Sequence, residues 1–127
     1  MNESLIAPME GTEHQEVAGV RLDIGRAAGC RIKRVIYPPG YRWSTHMKPI
    51  VHTESCMHAH AGFLAQGQVH IQYEDGDMVE LKAPQFVAIE PGHDAWVVGD
   101  EPAVLIEVDF ERDTVSKLGM PPLHHHV

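Results

Sequence analysis

The chain has 127 residues, of which 43% are hydrophobic and 22% are charged, and its formal net charge is −8. This length and composition are typical of one soluble globular domain. The acidic balance argues against a nucleic acid partner, because phosphate binding requires clustered Lys and Arg. No apolar run approaches the ~20 residues of a membrane helix, and the first residues lack the basic and apolar parts of a secretory signal. We therefore expect a cytoplasmic protein with no membrane partner.

The chain divides by its pattern into three parts. Residues 1–14 are polar and contain Pro8 and Gly11, which predicts a flexible N-terminal arm. Residues 15–119 contain the periodic segments, and residues 120–127 form a tail that includes three consecutive histidines. We expect the middle part to be the folded domain.

Short alternating segments between Gly and Pro turns predict strands along most of the middle part. The predicted strands cover residues 16–24, 30–37, 41–47, 55–65, 68–73, 78–82, 85–89, 95–98 and 103–110. The Asp75-Gly76 pair is a strong hairpin signal. Only residues 111–118 have a helical pattern, with Gly119 as the predicted stop. Strands at this spacing indicate an all-β antiparallel barrel or sandwich, and a jelly roll of this kind has a natural pocket at its mouth.

The basic residues and the two cysteines of the chain each have a simple interpretation. Arg31, Lys33 and Arg34 form the densest basic cluster, and the simplest interpretation is a solvated strand face. Two cysteines are too few for a disulfide framework, so we expect both to be thiols. Cys30 fits a small core residue, whereas Cys56 lies close to several histidines and is a candidate neighbour of a site.

The stretch from residue 40 to residue 67 contains four histidines and one cysteine and is the best candidate for a functional site. Because side chains alternate along a strand, Cys56, His58 and His60 are expected on one face, while Phe63 is expected on the other. His46 comes from the preceding predicted strand. Imidazoles from two neighbouring strands can bind a metal together, so the pattern predicts a site at His46, His58 and His60.

Other interpretations of these histidines stay open. An isolated histidine is usually a surface or hydrogen-bonded residue, and His52 fits a loop better than a ligand. His70 alternates with Val69 and Ile71 and fits a solvated strand position. The histidines of the tail, residues 124–126, can bind metal weakly. Tyr41, Trp43 and Trp96 fit either pocket-lining or ordinary core residues.

The stretch resembles the cupin superfamily. The first motif of that superfamily runs Gly, five residues, His-x-His, three or four residues, Glu, six residues and Gly. Gly40 and His46 match its start, and Lys48 stands at the second His position. Counting back from Gly67 places His60 where the motif has Glu, and an insertion after Lys48 reconciles the two ends. The family's metal-ligand role therefore passes to His46 and His60 by position, and to His58 by strand geometry.

The second cupin motif is matched less closely. Gly92 fits its second Gly, while its His position falls on Ala95, so that His93 lies two residues early. His93 either reaches the site as a further metal ligand or is an exposed turn residue. Residues 91–96 also resemble a group of small, single-domain, RmlC-like bacterial cupins. The whole resemblance covers about residues 30–110.

The resemblance implies a jelly-roll barrel, a divalent transition metal (Fe, Zn, Ni or Cu) and a homodimer. No Glu falls at the matching ligand position, and an all-imidazole site favours a small anionic ligand to balance the metal's charge. The implied activities are those of a dioxygenase, an isomerase or a decarboxylase. The alternative is a non-catalytic cupin that binds or senses a ligand. The catalytic residues are not identified by the sequence.

Overall fold

The computed structural model describes residues 5–27, 30–52 and 60–110. Within these residues the chain forms nine strands and two short helices. In chain order they are β1 (Glu13–Val17), β2 (Val20–Ala27), β3 (Cys30–Tyr37), α1 (Trp43–His46), α2 (Lys48–Val51), β4 (His60–Gln66), β5 (Gln68–Tyr73), β6 (Met78–Lys82), β7 (Gln85–Ile89), β8 (His93–Val98) and β9 (Ala103–Phe110).

The strands form two antiparallel sheets that enclose the core. One sheet has six strands in the order β1-β2-β3-β9-β4-β7, and the other has three in the order β6-β5-β8. Neighbouring β3 and β9 come from opposite ends of the described chain, as jelly-roll topology requires. The predicted all-β jelly-roll barrel is confirmed.

The hairpins follow from the local turn residues. The predicted Asp-Gly turn joins β5 to β6, with Gly76 at φ +93°. A second hairpin divides the segment that the pattern predicted as one strand at residues 16–24. Ala18 and Gly19 both have positive φ, so Val17 pairs with Val20 across a tight two-residue turn. The alternating pattern of the sequence is interrupted at this point because the chain turns there.

The strand predicted at residues 41–47 is wrong. Arg42 is extended and bridges to Trp96, but the chain then enters α1, with the amide of His46 donating to the carbonyl of Arg42 at 2.9 Å. The start of this helix is held from outside, because the Asp94 carboxylate of β8 accepts from the backbone N–H of Ser44 at 2.9 Å. A partner fifty positions away stabilises the helical turn, and no local pattern contains it.

The predicted solvated face at Arg31, Lys33 and Arg34 is also wrong. Lys33 and Arg34 are only 8% and 4% exposed, whereas Ile32, which we expected on the apolar face, is 48% exposed. Residues 33–36 of β3 are all buried, because the strand has covered surfaces on both sides. Alternation therefore carries little information about this strand.

Two predictions of secondary structure fall outside the described residues. They are the helix at residues 111–118 and the part of the predicted strand before β4, from residue 55 to residue 59. The division into arm, domain and tail likewise stays a prediction. Residues 5–7 do contact the sheet, since Arg34 donates to the carbonyl oxygens of Leu5 at 3.1 Å and Ala7 at 2.5 Å.

Candidate functional site

The inward faces of the two sheets surround a cavity of about 440 Å³. This volume lies in the usual range for small-molecule sites, roughly 300–1,000 Å³. Tyr41, Trp43 and Trp96 all line it, and Tyr41 and Trp43 are also buried core residues, so both sequence interpretations apply to these two. Of the described lining residues, only Lys33, His93 and Glu107 carry charged or imidazole side chains; the others are aliphatic or aromatic. The cavity therefore suits a largely apolar molecule with few polar groups.

His93 is the imidazole that the described structure places in the cavity. It is the first residue of β8, follows the turn glycine Gly92 and is only 2% exposed. Its Nδ1 donates to the carbonyl oxygen of Glu90 at 2.6 Å, and its ring lies edge-on to Tyr73. Because a carbonyl can only accept, the neutral ring has its proton on Nδ1 and its lone pair on Nε2. A backbone acceptor of this kind is the usual support of a metal-binding histidine.

His46 lies beside the cavity, behind one aromatic ring. It ends α1, and its ring stacks on Tyr41 with centroids 5.5 Å apart. Tyr41 lines the cavity, whereas His46 does not. The His46 Nδ1 is 3.1 Å from the backbone nitrogen of Arg42 and 3.0 Å from its carbonyl oxygen. A neutral ring makes only one of these contacts. If Nδ1 carries the proton it donates to the Arg42 carbonyl, and if it does not it accepts from the Arg42 N–H.

The other predicted ligands are at or beyond the edge of the described structure. His58 and Cys56 lie outside the described residues. His60 is the first residue of β4, where its backbone pairs with Ile89, a cavity-lining residue; its side chain is not among those described. Within the described ranges no group of three or more His, Cys, Asp or Glu side chains can hold a metal ion. Because His58 and the side chain of His60 lie outside those ranges, the site at His46, His58, His60 and His93 stays a prediction.

A buried ion pair in the cavity was not predicted from the sequence. Lys33 of β3 and Glu107 of β9 are directly opposite in the strand register, and the Lys33 Nζ lies 3.8 Å from the Glu107 Oε2. Glu107 is 3% exposed. The one signal for Lys33 was its phase with Val35 and Tyr37, which also line the cavity. The adjacent charges of Arg31 and Arg34 made this alternation hard to recognise in the sequence.

The glycine at position 62 brings β4 close to Glu107. Gly62 pairs with Glu107 across the β4–β9 ladder, and a Cβ atom at Gly62 would lie 1.8 Å from the carbonyl oxygen of Ile106. No other residue fits there without moving the strands. The backbone of β4 is thus held against β9 two residues after His60.

The remaining histidines of interest have structural surroundings. His52 is an exposed residue that ends α2 in a left-handed conformation, in agreement with the predicted loop position. The interpretation of His70 as a solvated strand position holds only in part, since its side chain is 24% exposed and its ring packs on the edge of Trp96 at 5.8 Å. The other side of Trp96 faces Arg42, whose guanidinium carbon is 4.4 Å from the ring centroid.

The described residues fit a metal only in part. His93 has the burial, the tautomer and the backbone support of a ligand, and Glu107 places a carboxylate in the same cavity. His93 alone does not complete a transition-metal site, which has at least three protein ligands in most catalytic zinc centres. A complete site therefore depends on His58 and His60.

These features define a class, a small jelly-roll barrel with a ligand-sized and mainly apolar cavity. Comparison of the sequence with protein-family models and with curated proteins finds no match. Among the part of the chain that the structure describes, no helix has the length and apolar character to cross a membrane.

Solved structures similar to this chain include proteins described as cupins. A Cupin 2 conserved barrel domain protein from Salinispora arenicola has a TM-score of 0.60 at 14% identity, covering 88% of this chain and 92% of its own. An RmlC-like cupin from Shewanella frigidimarina has a TM-score of 0.54 at 19% identity, covering 84% and 91%. Hydroxypropylphosphonic acid epoxidase from S. wedmorenis, in complex with fosfomycin, has a TM-score of 0.53 at 9% identity, covering 80% and 56%. The chain has the cupin fold, as the sequence resemblance implied.

Proposed function

We propose that this protein is a small metal-binding cupin that acts as a metal-dependent enzyme on a small anionic molecule. In this proposal His93, His60, His58 and His46 hold a divalent transition metal. The observation that carries the proposal is the buried His93 in a cavity of ligand size, with Nδ1 engaged by Glu90 and its lone pair on Nε2. The epoxidase among the similar structures is an enzyme on the same fold, which supports the class of function.

The residues of the cavity have separable tasks in this proposal. The aliphatic and aromatic walls exclude water and orient the ligand's apolar part. Glu90 holds the tautomer and the orientation of His93. A bound metal would supply Lewis acidity or oxygen activation, according to whether the reaction is an isomerisation, a decarboxylation or a dioxygenation.

Metal content per chain tests the proposal. The protein is prepared without residues 124–126 and loaded with Zn²⁺, Fe²⁺, Ni²⁺ or Cu²⁺, and bound metal is measured by elemental analysis after gel filtration. We expect about one ion per chain in the parent protein. His93→Ala and His60→Ala should each lower the content at least tenfold, since each removes a ligand.

His52→Ala is the matched control, because His52 is exposed at the end of α2 and is expected to leave the metal content unchanged. Near-ultraviolet circular dichroism, which reports the packing of Trp43 and Trp96, verifies that each variant is folded. A folded parent that takes up none of the four ions would contradict the metal site. The non-catalytic ligand-binding cupin would then be the better account of the cavity.

A homodimer is the second part of the proposal. Phe86 is 73% exposed and Phe63 47%, and the two residues are directly paired on the outer face of β7 and β4. Within the described part of the chain β7 is an edge of the six-stranded sheet, so the apolar pair adjoins an edge able to meet its own copy across a two-fold axis. We infer that a second copy of the chain covers this face.

Molar mass by light scattering tests the dimer. Phe86→Glu should convert a dimer to a monomer at micromolar concentration, because it would bury a charge between the copies. Met78→Glu is the control, since Met78 is 50% exposed on β6 of the other sheet. A parent protein that is monomeric throughout the concentration series would contradict this part of the proposal.

A further inference from the structure

Two neighbouring positions on β3 and β9 differ in a way that the fold does not explain. Val35 pairs with Leu105 and Lys33 with Glu107, and all four side chains line the cavity. The first pair is apolar, as expected for the inside of a barrel. The second places two opposite charges at the wall of the same cavity, one step further along the same strands. The barrel therefore accepts an apolar pair on these strands, and the charged pair needs another reason.

Stability is a weak reason for this charged pair. Removing an ammonium and a carboxylate from water costs several kcal/mol per ion, and their mutual attraction often fails to repay the cost. Buried pairs of this kind are frequently replaced by apolar residues with no loss, or with a gain, of stability. A charged pair that faces a cavity of about 440 Å³ is better explained by what the cavity binds.

The geometry of the pair points to a hydroxyl group. The 3.8 Å between the Lys33 Nζ and the Glu107 Oε2 exceeds the length of a direct hydrogen bond. An oxygen atom can lie at about 2.8 Å from both atoms at once, and a hydroxyl can accept from the ammonium while it donates to the carboxylate. A second carboxylate in this place would instead be repelled by Glu107. A hydroxyl, which can both accept and donate, therefore matches these two atoms better than a carboxylate.

We propose that the Lys33–Glu107 pair recognises the hydroxyl of an apolar alcohol or phenol bound in the cavity. The aliphatic and aromatic walls contact the rest of that molecule, and the two charges fix its orientation. This inference rests on the proposed function only in taking the cavity as the ligand site. An anionic group on the same molecule would be bound by the metal, at a separate position. The hydroxyl contact itself requires no metal.

Binding of three matched probes to chelator-treated protein tests the inference. The probes are 4-propylphenol, 4-propyltoluene and 4-propylbenzoate, which differ only in the group at the head of the ring. Trp43 and Trp96 are the two tryptophans of the chain and both line the cavity, so their fluorescence reports occupancy directly. We expect the phenol to bind about tenfold more tightly than the toluene, since its hydrogen bonds are to charged groups.

Paired substitutions then locate the preference. In Lys33→Met/Glu107→Leu the phenol and the toluene should bind equally, because the charges are gone while the apolar walls remain. Glu13→Leu/Arg26→Met is the matched control, since it removes an exposed ion pair with a 2.8 Å contact on the same sheet. The control should keep the tenfold preference. Glu107→Gln, which preserves shape, should reduce the preference and provides a second test if the double variant does not fold.

Four results would overturn the inference. They are the absence of binding by any probe, equal binding of phenol and toluene to the parent, a preference that survives in the folded double variant, and tighter binding of the benzoate than of the phenol. The last result would mean that the ammonium alone is recognised. Because metal is absent throughout, a failure of the metal site leaves these outcomes unaffected, and the two proposals fail separately.

Discussion

Lys33 and Arg34 are consecutive residues on one strand, and both are buried, but they lie on opposite faces of the six-stranded sheet. Arg34 contacts the chain itself: it donates through Nε to Asp23 at 3.0 Å and through its terminal nitrogens to Asp23 and to the carbonyls of Leu5 and Ala7. Lys33 lines the cavity opposite Glu107. Two adjacent basic residues thus have different surroundings. Arg34 is bonded to the chain on one face of the sheet, and Lys33 lines the cavity on the other.

The outer cluster of His14, Asp23 and Arg34 is a cross-strand network. Asp23 is paired in register with His14 on one side and Arg34 on the other, and its carboxylate contacts both. Burial opposes ionisation of Asp23, but the hydrogen bonds from Arg34 and His14 outweigh it, so the pKa of this carboxyl is lowered from its ordinary value. The network holds residues 5–7 against the sheet. Because Asp23 lies opposite both His14 and Arg34 in the strand register, the polar groups of this network are hydrogen-bonded by the chain itself.

The largest expected effect comes from breaking the outer cluster. Asp23→Asn removes the negative charge opposite Arg34, which is only 4% exposed, and leaves a buried guanidinium without its anion. We expect the free energy of unfolding to fall by about 3–5 kcal/mol. Urea denaturation at neutral pH measures the change. Glu13→Gln is the control, since Glu13 and its partner Arg26 are both exposed, and a loss as large as that of Asp23→Asn would show that burial is not the cause.

The cavity pair should respond in the opposite direction. Lys33→Met/Glu107→Leu replaces both charges by apolar side chains of similar length, so that no charge is left unpaired. We expect the free energy of unfolding to stay unchanged or to rise by up to about 1–4 kcal/mol. A fall of several kcal/mol in the same urea assay would place the pair with the outer cluster as a structural element, and would remove the contrast between the two faces.

The smallest expected effect is the pH dependence of the outer cluster. Because the pKa of Asp23 is lowered by folding, its contribution to stability is present above the pKa of the unfolded chain, about 3.9, and is lost as the pH falls through the folded value. The difference in unfolding free energy between the parent and Asp23→Asn should therefore be present at neutral pH and should shrink in acidic solution, as Asp23 of the parent becomes protonated. A difference that is independent of pH down to the acid range would contradict this origin.

Local sequence determined much of this protein. Alternating segments and Gly and Pro turns predicted most strands and the jelly-roll class, and the Asp75-Gly76 hairpin formed as expected. The outward position of Phe63 also followed from alternation. These features depend on neighbours in the chain, on backbone dihedral preferences and on the two-residue period of a strand. The strand after the Gly92 turn was also predicted, but with its start at residue 95, whereas β8 begins at His93.

Tertiary structure decided the faces and the site. Lys33 and Arg34 were indistinguishable by pattern, because both surfaces of β3 are covered and its residues are buried without alternation. The helical turn at His46 depends on Asp94, which caps it from another strand. His93 proved buried because its ring is held by Glu90 and packed on Tyr73 inside the barrel. Each of these outcomes depends on a contact between distant segments, and the energy of such a contact is absent from any local window of the sequence.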